Sequence, residues 1–368
     1  MAFAVIKVLM KDVKDMDSLA EGLAREGVGA DDIVGVAAKT EGNGGVNDFG
    51  RVLVDHLLRQ FFVDHGSRSR EQAMRVPIAL SGGCPGVIAP HLNAFVEVDD
   101  PSPSDEPRLS IGRAISAPIL PEEIGRPEGV EKIAAGVRRA MADSGISDPA
   151  DVHYVQSKSP LLTAERIEEA KSRGKTVALE DTMESMAIGN ATAALGIGVA
   201  LEEFAMPRAE QIGHDLDLYS SVASCSSGVE QPEAQILLVG NRRGAGGRFR
   251  IGHSVMRDAI DMDGIYEAIR NAGLPLSERP HPDDLGDALV NCFIKCETAQ
   301  SGRLRGHRLV SLNDSDCHHT LQTKAAVGGV AAAATGDPAM FVSVAALQQG
   351  PSGGGMVAAI VDTGKLPG

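Results

Sequence analysis

The stretch Val152-His-Tyr-Val-Gln-Ser-Lys158 decides the fold, because a strand-like segment that ends in lysine occurs three times in the chain. Its counterparts are Ile33-Val-Gly-Val-Ala-Ala-Lys39 and Val290-Asn-Cys-Phe-Ile-Lys295. Segments rich in β-branched and aromatic residues are typical of β-strands. Domain-sized intervals separate the three lysines, which indicates three like domains rather than a solenoid of short repeats.

A leading strand and an amphipathic helix precede each lysine strand. The helices have apolar residues at helical spacing and end at a glycine, which suits a helix C-cap. Those glycines are Gly27, Gly145 and Gly273. The leading strands read Phe3-Ala-Val-Ile-Lys-Val-Leu-Met10, Leu109-Ser-Ile-Gly-Arg-Ala-Ile-Ser116 and Phe249-Arg-Ile-Gly-His-Ser-Val-Met256.

A serine follows each lysine at the end of a further strand, after a second helix rich in alanine and glycine. These strands are predicted at residues 77–81, 220–226 and 340–343, and they end at Ser81, Ser226 and Ser343. Three Lys–Ser pairs predict one site around a pseudo-threefold axis, which suits a ring-shaped substrate. Backbone N–H groups in the turns after Ser81 and Ser226 are candidates to hold a developing oxyanion.

The fold class expected from this order of elements is α/β (α+β), with three similar domains that each pack helices on a sheet. Their predicted boundaries are residues 1–103, 104–244 and 245–368. The polar, proline-rich residues 99–107 and the glycine-rich residues 242–248 are the predicted linkers. With 42 glycines and no tryptophan, the chain suits sites where backbones approach closely.

Composition and charge narrow the classes of function. The 368 residues are 43% hydrophobic, enough for a sizeable core. A formal net charge of −15 argues against nucleic acid or an anionic membrane surface as partner. No apolar run approaches the roughly 20 residues of a membrane span, and the start lacks a signal-peptide pattern. Five cysteines, an odd number, favour reduced thiols, so we expect a cytoplasmic protein.

The lysines suggest a chemistry. A single lysine at a strand end is usually a solvated surface charge, but the same residue in the same place three times indicates a site. Lysines that converge in an enclosed site lower each other's pKa, and loss of solvent acts in the same direction. A neutral lysine can take the proton of a serine hydroxyl and so create a nucleophile.

Further motifs lie beside these pairs. They are Lys39-Thr-Glu-Gly-Asn-Gly-Gly-Val-Asn-Asp48, Ser81-Gly-Gly83 with Pro90-His91, Leu120-Pro-Glu-Glu-Ile-Gly-Arg126, Val155-Gln-Ser-Lys-Ser-Pro-Leu-Leu-Thr163, Glu184-Ser-Met186, Asp314-Ser-Asp316 and Gln349-Gly-Pro-Ser-Gly-Gly-Gly355. Together they resemble the ring-opening amidohydrolases, which include cyanuric acid amidohydrolase and barbiturase. The resemblance runs almost end to end and implies three domains around a pseudo-threefold axis. It also implies a catalytic pair in the second domain, with Lys158 as base and Ser226 as nucleophile.

The same resemblance implies a ring of substrate-binding residues: Lys39, Arg51, Ser81, Gly82, Asn190, Ser227, Lys295, Lys324, Ser343 and Val344. Cyanuric acid amidohydrolases have one arginine per domain, whereas the second and third positions here hold Asn190 and Lys324. A lysine or a short amide lacks the fork of donors that a guanidinium offers to carbonyl oxygens. Val344 also stands where the family has glycine. A lopsided cage favours a ring without threefold symmetry.

The function expected from these departures is opening of barbiturate to ureidomalonate. Hydrolysis of cyanuric acid, which yields carboxybiuret and then biuret, is the first alternative, and another cyclic imide or ureide is the second. A non-catalytic protein that binds heterocycles is a third, although retention of every lysine and serine argues against it. The resemblance also implies a homotetramer.

Two metal sites are considered. The resemblance implies a structural divalent cation, Mg²⁺ or Ca²⁺, on the carboxylate of Glu297 and the backbone oxygens of Ala346, Gln349, Gly350, Pro351 and Gly354. An oxygen-only set is what such hard ions prefer. The run Cys317-His318-His319 is a possible zinc site, but adjacent side chains diverge and no second ligand pair has zinc-site spacing. A role at the start of a helix is the favoured interpretation of that run.

Two further residues receive structural interpretations. His91 follows a turn proline and is predicted to be a structural hydrogen-bonding group. Cys225 is next to Ser226 and is a conceivable rival nucleophile, but alternation along a strand directs its side chain to the opposite face.

Overall fold

In the computed structural model, which describes residues 2–100, 102–229 and 232–366, the strands form three four-stranded sheets and one short hairpin. The first sheet contains β1 (Ala2–Leu9), β2 (Ile33–Thr40), β3 (Ile78–Gly82) and β4 (His91–Val98). The second contains β5 (Arg108–Ile115), β6 (Val152–Pro160), β7 (Ala223–Gly228) and β8 (Gln235–Arg242). The third contains β9 (Phe249–Met256), β10 (Leu289–Lys295), β13 (Phe341–Ser343) and β14 (Gly355–Asp362), and the hairpin is β11 (Arg303–Leu304) with β12 (His307–Arg308).

Helices accompany each sheet in the same sequence order. The first sheet has α1 (Asp17–Arg25), α2 (Phe49–Asp64) and α3 (Arg70–Met74). The second has α4 (Pro127–Ser144), α5 (Ala164–Ser172) and α6 (Thr182–Ala200), and the third has α7 (Met262–Asn271) and α8 (His319–Thr335). Among the described helices, none is both long and apolar enough to cross a bilayer.

One topology is repeated three times. The strand orders are β1-β4-β2-β3, β5-β8-β6-β7 and β9-β14-β10-β13. In each sheet the first three strands of that order are antiparallel and the last is parallel to its neighbour. Each lysine strand also has an irregularity near its start, at Ile33/Gly35, Val152/Tyr154 and Leu289/Asn291. The predicted fold class of three similar α/β units is therefore confirmed.

The inner faces of the three sheets pack against one another at the centre of the molecule. Phe293 has ring centroids 5.9 Å from Phe95, 5.1 Å from Tyr154 and 5.7 Å from Phe341, so aromatic side chains from all three sheets meet there. All four side chains are buried. Tilted ring pairs at these separations are favourable beyond the area that they bury. The central core thus joins the three repeats into one body.

Helices cover the outer faces of the sheets. The helix that follows each leading strand is amphipathic, and Leu19, Ile133 and Ile265 are among the side chains that it buries. The predicted glycines Gly27, Gly145 and Gly273 follow these helices with φ angles of 71°, 70° and 98°. Such left-handed conformations at a helix end are easiest for glycine. The predicted helix stops are therefore confirmed.

Sequence reasoning misses the last strand of each repeat, namely β4, β8 and β14. Each pairs between the first and second strands of its own repeat and is almost wholly buried. The predicted domain boundaries fall between Val98 and Arg108 and between Arg242 and Phe249. The two predicted linkers bond to each other, since Ser104 N donates to Ala245 O (3.2 Å). Pro101, which belongs to the first linker, lies outside the described residues.

Candidate active site

The three predicted Lys–Ser pairs are neighbours across parallel strands. Lys39 of β2 lies opposite Ser81 of β3, Lys158 of β6 opposite Ser226 of β7, and Lys295 of β10 opposite Ser343 of β13. All six residues stand near the C-terminal ends of their strands. The strand pairs also contact one another, because β13 lies against β2 and β3 lies against β6. The fold therefore brings the three pairs together around one axis.

A cavity of about 70 Å³ lies where the three repeats meet. The serines Ser81, Ser226 and Ser343 all line it. It is also lined by most other residues that the sequence places in the binding ring, namely Arg51, Gly82, Asn190, Ser227, Lys295, Lys324 and Val344. Lys158 borders a second cavity of about 160 Å³, which shares Arg51 and Leu80 with the first. Lys39 is fully buried behind Ser81.

Two lysines converge on the carbonyl oxygen of Gly82 in the first repeat. Lys324 Nζ lies 2.7 Å from that oxygen and Lys39 Nζ lies 3.5 Å from it. Lys39 also donates to Ser81 O (3.0 Å), Ser81 Oγ (3.2 Å) and the carbonyl of Gly83. Burial and the charge of Lys324 hold the pKa of Lys39 well below its usual value, and burial lowers the pKa of Lys324 to about 8.

Lys158 and Ser226 stand opposite each other in the second repeat. Lys158 is 8% exposed, and its Nζ donates to the carbonyl of Ser227 (3.3 Å). The Ser227 hydroxyl donates to Asn190 Oδ1 (2.9 Å), and Asn190 Nδ2 donates to Ala345 O (3.0 Å). Asn190 therefore has both ends of its amide bonded to protein, and it joins the second repeat to the third.

Lys295 is paired with Ser343 in the third repeat, at 3.2 Å between Nζ and Oγ. Burial lowers the pKa of Lys295 to about 7, and the positive charges of Lys324 and Lys158 act in the same direction. From the sequence we expect mutual repulsion and loss of solvent to lower the pKa values of these lysines. Loss of solvent is the larger effect in the structure.

Arg51 is held by the start of its own helix. Asp48 caps α2 by accepting from Arg51 N (3.1 Å) and from Gly44 N (2.7 Å), and it lies 3.7 Å from Arg51 Nε. The guanidinium also donates to the carbonyl of Gly45. A Cβ at position 82 would stand 1.8 Å from the Asp48 carboxylate, so glycine is required there. The close contact between Gly82 and Asp48 therefore holds the start of α2, and with it Arg51, beside the central cavity.

Polar residues lie beneath the serines in the second repeat, and this feature escaped the sequence argument. Two residues before each Lys–Ser pair, the register partners are Ala37 with Ala79, Gln156 with Ser224, and Phe293 with Phe341. Gln156 Oε1 accepts from Ser224 Oγ (3.0 Å) and from the Tyr154 hydroxyl (2.7 Å). Alternation along a strand directs residues two apart to the same face. A glutamine in a buried strand was the available signal.

The residues predicted to hold a structural cation lie together. Glu297 N donates to Gly354 O (2.9 Å), and the Ala346 backbone donates to the Glu297 carboxylate. The segment from Ala345 to Gly354 is tightly wound, with positive φ angles at Ala345, Gln348, Gly350 and Gly353. Burial raises the pKa of Glu297, so a bound cation would offset the cost of its charge. One carboxylate among backbone carbonyls fits Mg²⁺ or Ca²⁺.

The run at residues 317–319 forms the start of α8. His318 is the N-cap of that helix and accepts from Thr320 N (3.4 Å), while His319 Nδ1 lies 2.9 Å from Thr298 Oγ1. The Cys317 side chain is exposed. Within the described ranges, no group of three or more His, Cys, Asp or Glu residues is arranged to hold a metal ion.

Two structural interpretations are supported by geometry. His91 is fully buried and its Nδ1 bonds to the carbonyl of Ala89 (2.9 Å). Cys225 is buried in the core between sheet and helices, on the face opposite Ser226, and burial raises its pKa to about 12. A thiol in that environment is a poor nucleophile.

The chain is similar to known proteins along nearly its whole length. The family model for amidohydrolase ring-opening proteins matches residues 4–362. Barbiturase 2 of a Nocardioides species is 55% identical over 364 residues, which cover 97% of this chain and 98% of that protein. Cyanuric acid amidohydrolase of Enterobacter cloacae is 41% identical over 366 residues, which cover 98% and 99%.

A solved structure extends the likeness to three dimensions. It is a cyanuric acid hydrolase described as an evolutionary innovation by structural concatenation, with a TM-score of 0.90 and 35% identity. The match covers 98% of this chain and 99% of that one. Sequence and fold thus agree with these relatives along nearly the whole chain. The protein belongs to the ring-opening amidohydrolase family and is an enzyme that hydrolyses a C–N bond of a cyclic amide.

Proposed function

We propose that this enzyme is a barbiturase, which opens the barbiturate ring to give ureidomalonate. The observation that carries the proposal is that the three corresponding helix positions around the site hold three different side chains. Arg51 presents a guanidinium, Asn190 has its amide bonded to Ser227 and Ala345, and Lys324 contributes a point charge at the Gly82 carbonyl. Only a guanidinium offers a planar fork of donors to ring carbonyls. Unequal walls suit a ring with unequal edges.

The residue after each serine supports the same choice. These residues are Gly82, Ser227 and Val344, and all three line the central cavity. Barbiturate has a CH₂ group where cyanuric acid has an N–H group, so one edge of the ring is apolar. Beside the apolar Val344 a CH₂ needs no hydrogen bond, whereas a buried N–H without an acceptor is costly. Val344 therefore favours barbiturate.

Sequence similarity points the same way. The chain is 55% identical to a protein named as a barbiturase and 41% identical to one named as a cyanuric acid amidohydrolase. Cyanuric acid remains the second candidate because of one specific observation. The three Lys–Ser pairs occupy the same register in all three sheets, and that symmetry suits a ring with three equal carbonyls.

We assign the nucleophile to Ser226 and the base to Lys158. Ser226 lines the central cavity and stands directly opposite Lys158 across β6 and β7. The second repeat also differs from the others by the polar pair Gln156 and Ser224 beneath these residues, where the first has alanines and the third has phenylalanines. A polar surrounding can support proton transfer and a bound water, and an apolar one cannot.

The proposed reaction proceeds in two halves. Lys158 in its neutral form takes the Ser226 proton, and Oγ attacks a ring carbonyl while backbone N–H groups hold the oxyanion. The ring C–N bond breaks, and the nitrogen receives the proton from Lys158. Because the substrate is a ring, the whole opened molecule stays attached to Ser226 as an ester. Water then releases the product. Ser81, with Lys39 behind it, and Ser343, paired with Lys295, hold the other carbonyls.

A structural cation is part of the proposal. The Glu297 carboxylate would hold it, with the backbone oxygens of Ala346, Gln349, Gly350, Pro351 and Gly354. Such an ion would fix the segment that follows Val344, without entering the reaction. The homotetramer and the cytoplasmic location stay predictions from the sequence, and zinc at residues 317–319 stays the less favoured interpretation of that run.

The test is the loss of ultraviolet absorbance when purified protein is mixed with barbiturate and, separately, with cyanuric acid. We expect turnover of barbiturate, and we expect Ser226→Ala to lower it by at least roughly 10⁴-fold. Ser81→Ala and Ser343→Ala are the matched controls. Each removes one group that binds a carbonyl, so each is expected to cost roughly 10²-fold.

The outcomes separate the parts of the proposal. A preference for cyanuric acid would show that Asn190, Lys324 and Val344 do not set the choice of ring. Equal losses in all three serine variants would contradict the assignment of Ser226. If neither ring opens, the substrate is another cyclic amide.

A further inference from the structure

A third, much smaller cavity is also lined by the three serines. Its volume is about 10 Å³, and it adjoins the central cavity because both are lined by Ser81, Ser226, Ser343 and Lys295. Gln156 and Ser224 form the polar part of its floor, and Ala79, Leu80 and Phe341 form the apolar part. A space of roughly 10–15 Å³ accommodates one water molecule, provided that two to four polar partners surround it. The size and the polar walls of this cavity meet both conditions.

We propose that this cavity binds a single water molecule and that this water hydrolyses the ester formed on Ser226. The proposal rests on the function proposed above, since it needs an acyl-enzyme on that serine. It assigns Ser224 as a residue that contacts the reacting water and Gln156 as the residue that positions Ser224.

The hydrogen bonds beneath the cavity decide how the water is oriented. Ser224 Oγ donates its proton to Gln156 Oε1 (3.0 Å). Gln156 Oε1 also accepts from the Tyr154 hydroxyl (2.7 Å). Gln156 Nε2 in turn donates to the Ser157 carbonyl (3.3 Å). With its only proton used, Ser224 Oγ offers lone pairs to the cavity. A water there donates to Ser224 and keeps its own lone pairs for the ester carbon.

The second repeat alone provides polar side chains at the equivalent positions. In the first repeat the side chains there are Ala37 and Ala79, and in the third they are Phe293 and Phe341. Neither pair has a side-chain hydrogen-bonding group. Although all three serines line the cavity, the groups that would hold the water belong to the repeat of Ser226, the serine that we assign as nucleophile.

The step balances with the groups already present. The water oxygen forms a bond to the acyl carbon, and the ester bond from that carbon to Ser226 Oγ breaks. Lys158 is neutral after it has protonated the ring nitrogen. It takes the proton lost by the water and passes it to Ser226 Oγ, so both residues return to their starting states. The product leaves with the oxygen of the water in its carboxyl group.

Ser224→Val tests the water site, because the two methyl groups fill the cavity and remove the acceptor. We expect the first turnover, followed by stopped-flow absorbance with barbiturate, to stay within about twofold of the unmodified rate. Steady-state turnover is expected to fall at least tenfold. Intact-protein mass spectrometry should then show an adduct of the whole substrate mass, on the peptide that contains Ser226.

Cys225→Val is the matched control, since it places the same side chain in the same strand but on the opposite face. We expect no adduct and less than twofold loss with that variant. Ser224→Ala is the smaller change if Ser224→Val does not fold. It leaves room for the water but removes the acceptor, so the adduct should again accumulate.

Two results would overturn the inference. One is unchanged steady-state turnover in Ser224→Val, and the other is an equal loss in the first and later turnovers with no adduct. Failure of the underlying function looks different, because barbiturate would then not be opened by the unmodified protein, or Ser226→Ala would keep the first turnover.

Discussion

Replacing Lys324 by methionine should make the protein more stable, by an amount that depends on pH. Lys324 is 3% exposed, and burial lowers its pKa from 10.5 to about 8. Methionine has a similar length and carries no charge. The variant loses the hydrogen bond to the Gly82 carbonyl at every pH, whereas the cost of burying the ammonium exists only where that group is charged.

The sign follows from proton binding by the two states. Below pH 8 the lysine is protonated in the folded and the unfolded chain, and the folded state bears the full cost. Between pH 8 and 10.5 the unfolded chain binds more protons, so the stability of the unmodified protein rises with pH. The cost is about 3 kcal/mol at pH 7 and about 1 kcal/mol at pH 10, at 1.36 kcal/mol per pKa unit.

The assay is urea unfolding of the variant and the unmodified protein at pH 7 and at pH 10. Comparison at the same pH cancels the titration of groups that Lys324 does not influence. Loss of the Lys324 charge also relieves the neighbouring Lys39, and this relief acts in the same direction because it too is present only where Lys324 is charged. We expect the gain in unfolding free energy of the variant over the unmodified protein to be about 2 kcal/mol smaller at pH 10 than at pH 7. Lys175→Met, at an exposed lysine, is the control and should show no such shift. A difference that does not change with pH for Lys324→Met would refute the account of a buried lysine with a lowered pKa.

Two other variants test the specificity for the ring and the site of the cation. Asn190→Arg combined with Lys324→Arg restores a guanidinium at each helix position, so the ratio of kcat/KM for cyanuric acid to that for barbiturate should rise at least tenfold; an unchanged ratio would count against the lopsided cage. Chelation of divalent ions should lower the melting temperature of the unmodified protein, with reversal on adding Mg²⁺ or Ca²⁺. Glu297→Gln should melt at the lower temperature with or without chelator, and a melting temperature that responds equally in both proteins would place the ion elsewhere.

The pairing of lysine with serine was predictable because it depends on local pattern. Each lysine and each serine lies near the C-terminal end of a strand, and parallel strands bring such ends to one edge of a sheet. Repetition of the pattern then implied a common axis. The same reasoning reached the helix stops, because Gly27, Gly145 and Gly273 adopt left-handed conformations.

Contacts between repeats were beyond sequence reasoning. Asn190 bonds to the carbonyl of Ala345, and Lys324 reaches Gly82, at separations of 155 and 242 residues. Nothing local to Asn190 indicates that its amide is already occupied. Lys39 and Lys324 come from different repeats, so their approach to one carbonyl follows only from the packing of whole sheets.

The threefold repeat makes the three Lys–Ser pairs alike, so the pairs themselves do not determine which serine is the nucleophile. Three pairs in one register are equivalent by backbone geometry, so a single nucleophile must be selected by differences around them. The side chains at the helix positions, Arg51, Asn190 and Lys324, differ, but in our proposal they contact the substrate and determine which ring binds. The floor differs as well, with Gln156 and Ser224 in one repeat and apolar side chains in the other two. Since only a polar floor can hold and orient a water, the floor is the feature that can confine hydrolysis to Ser226.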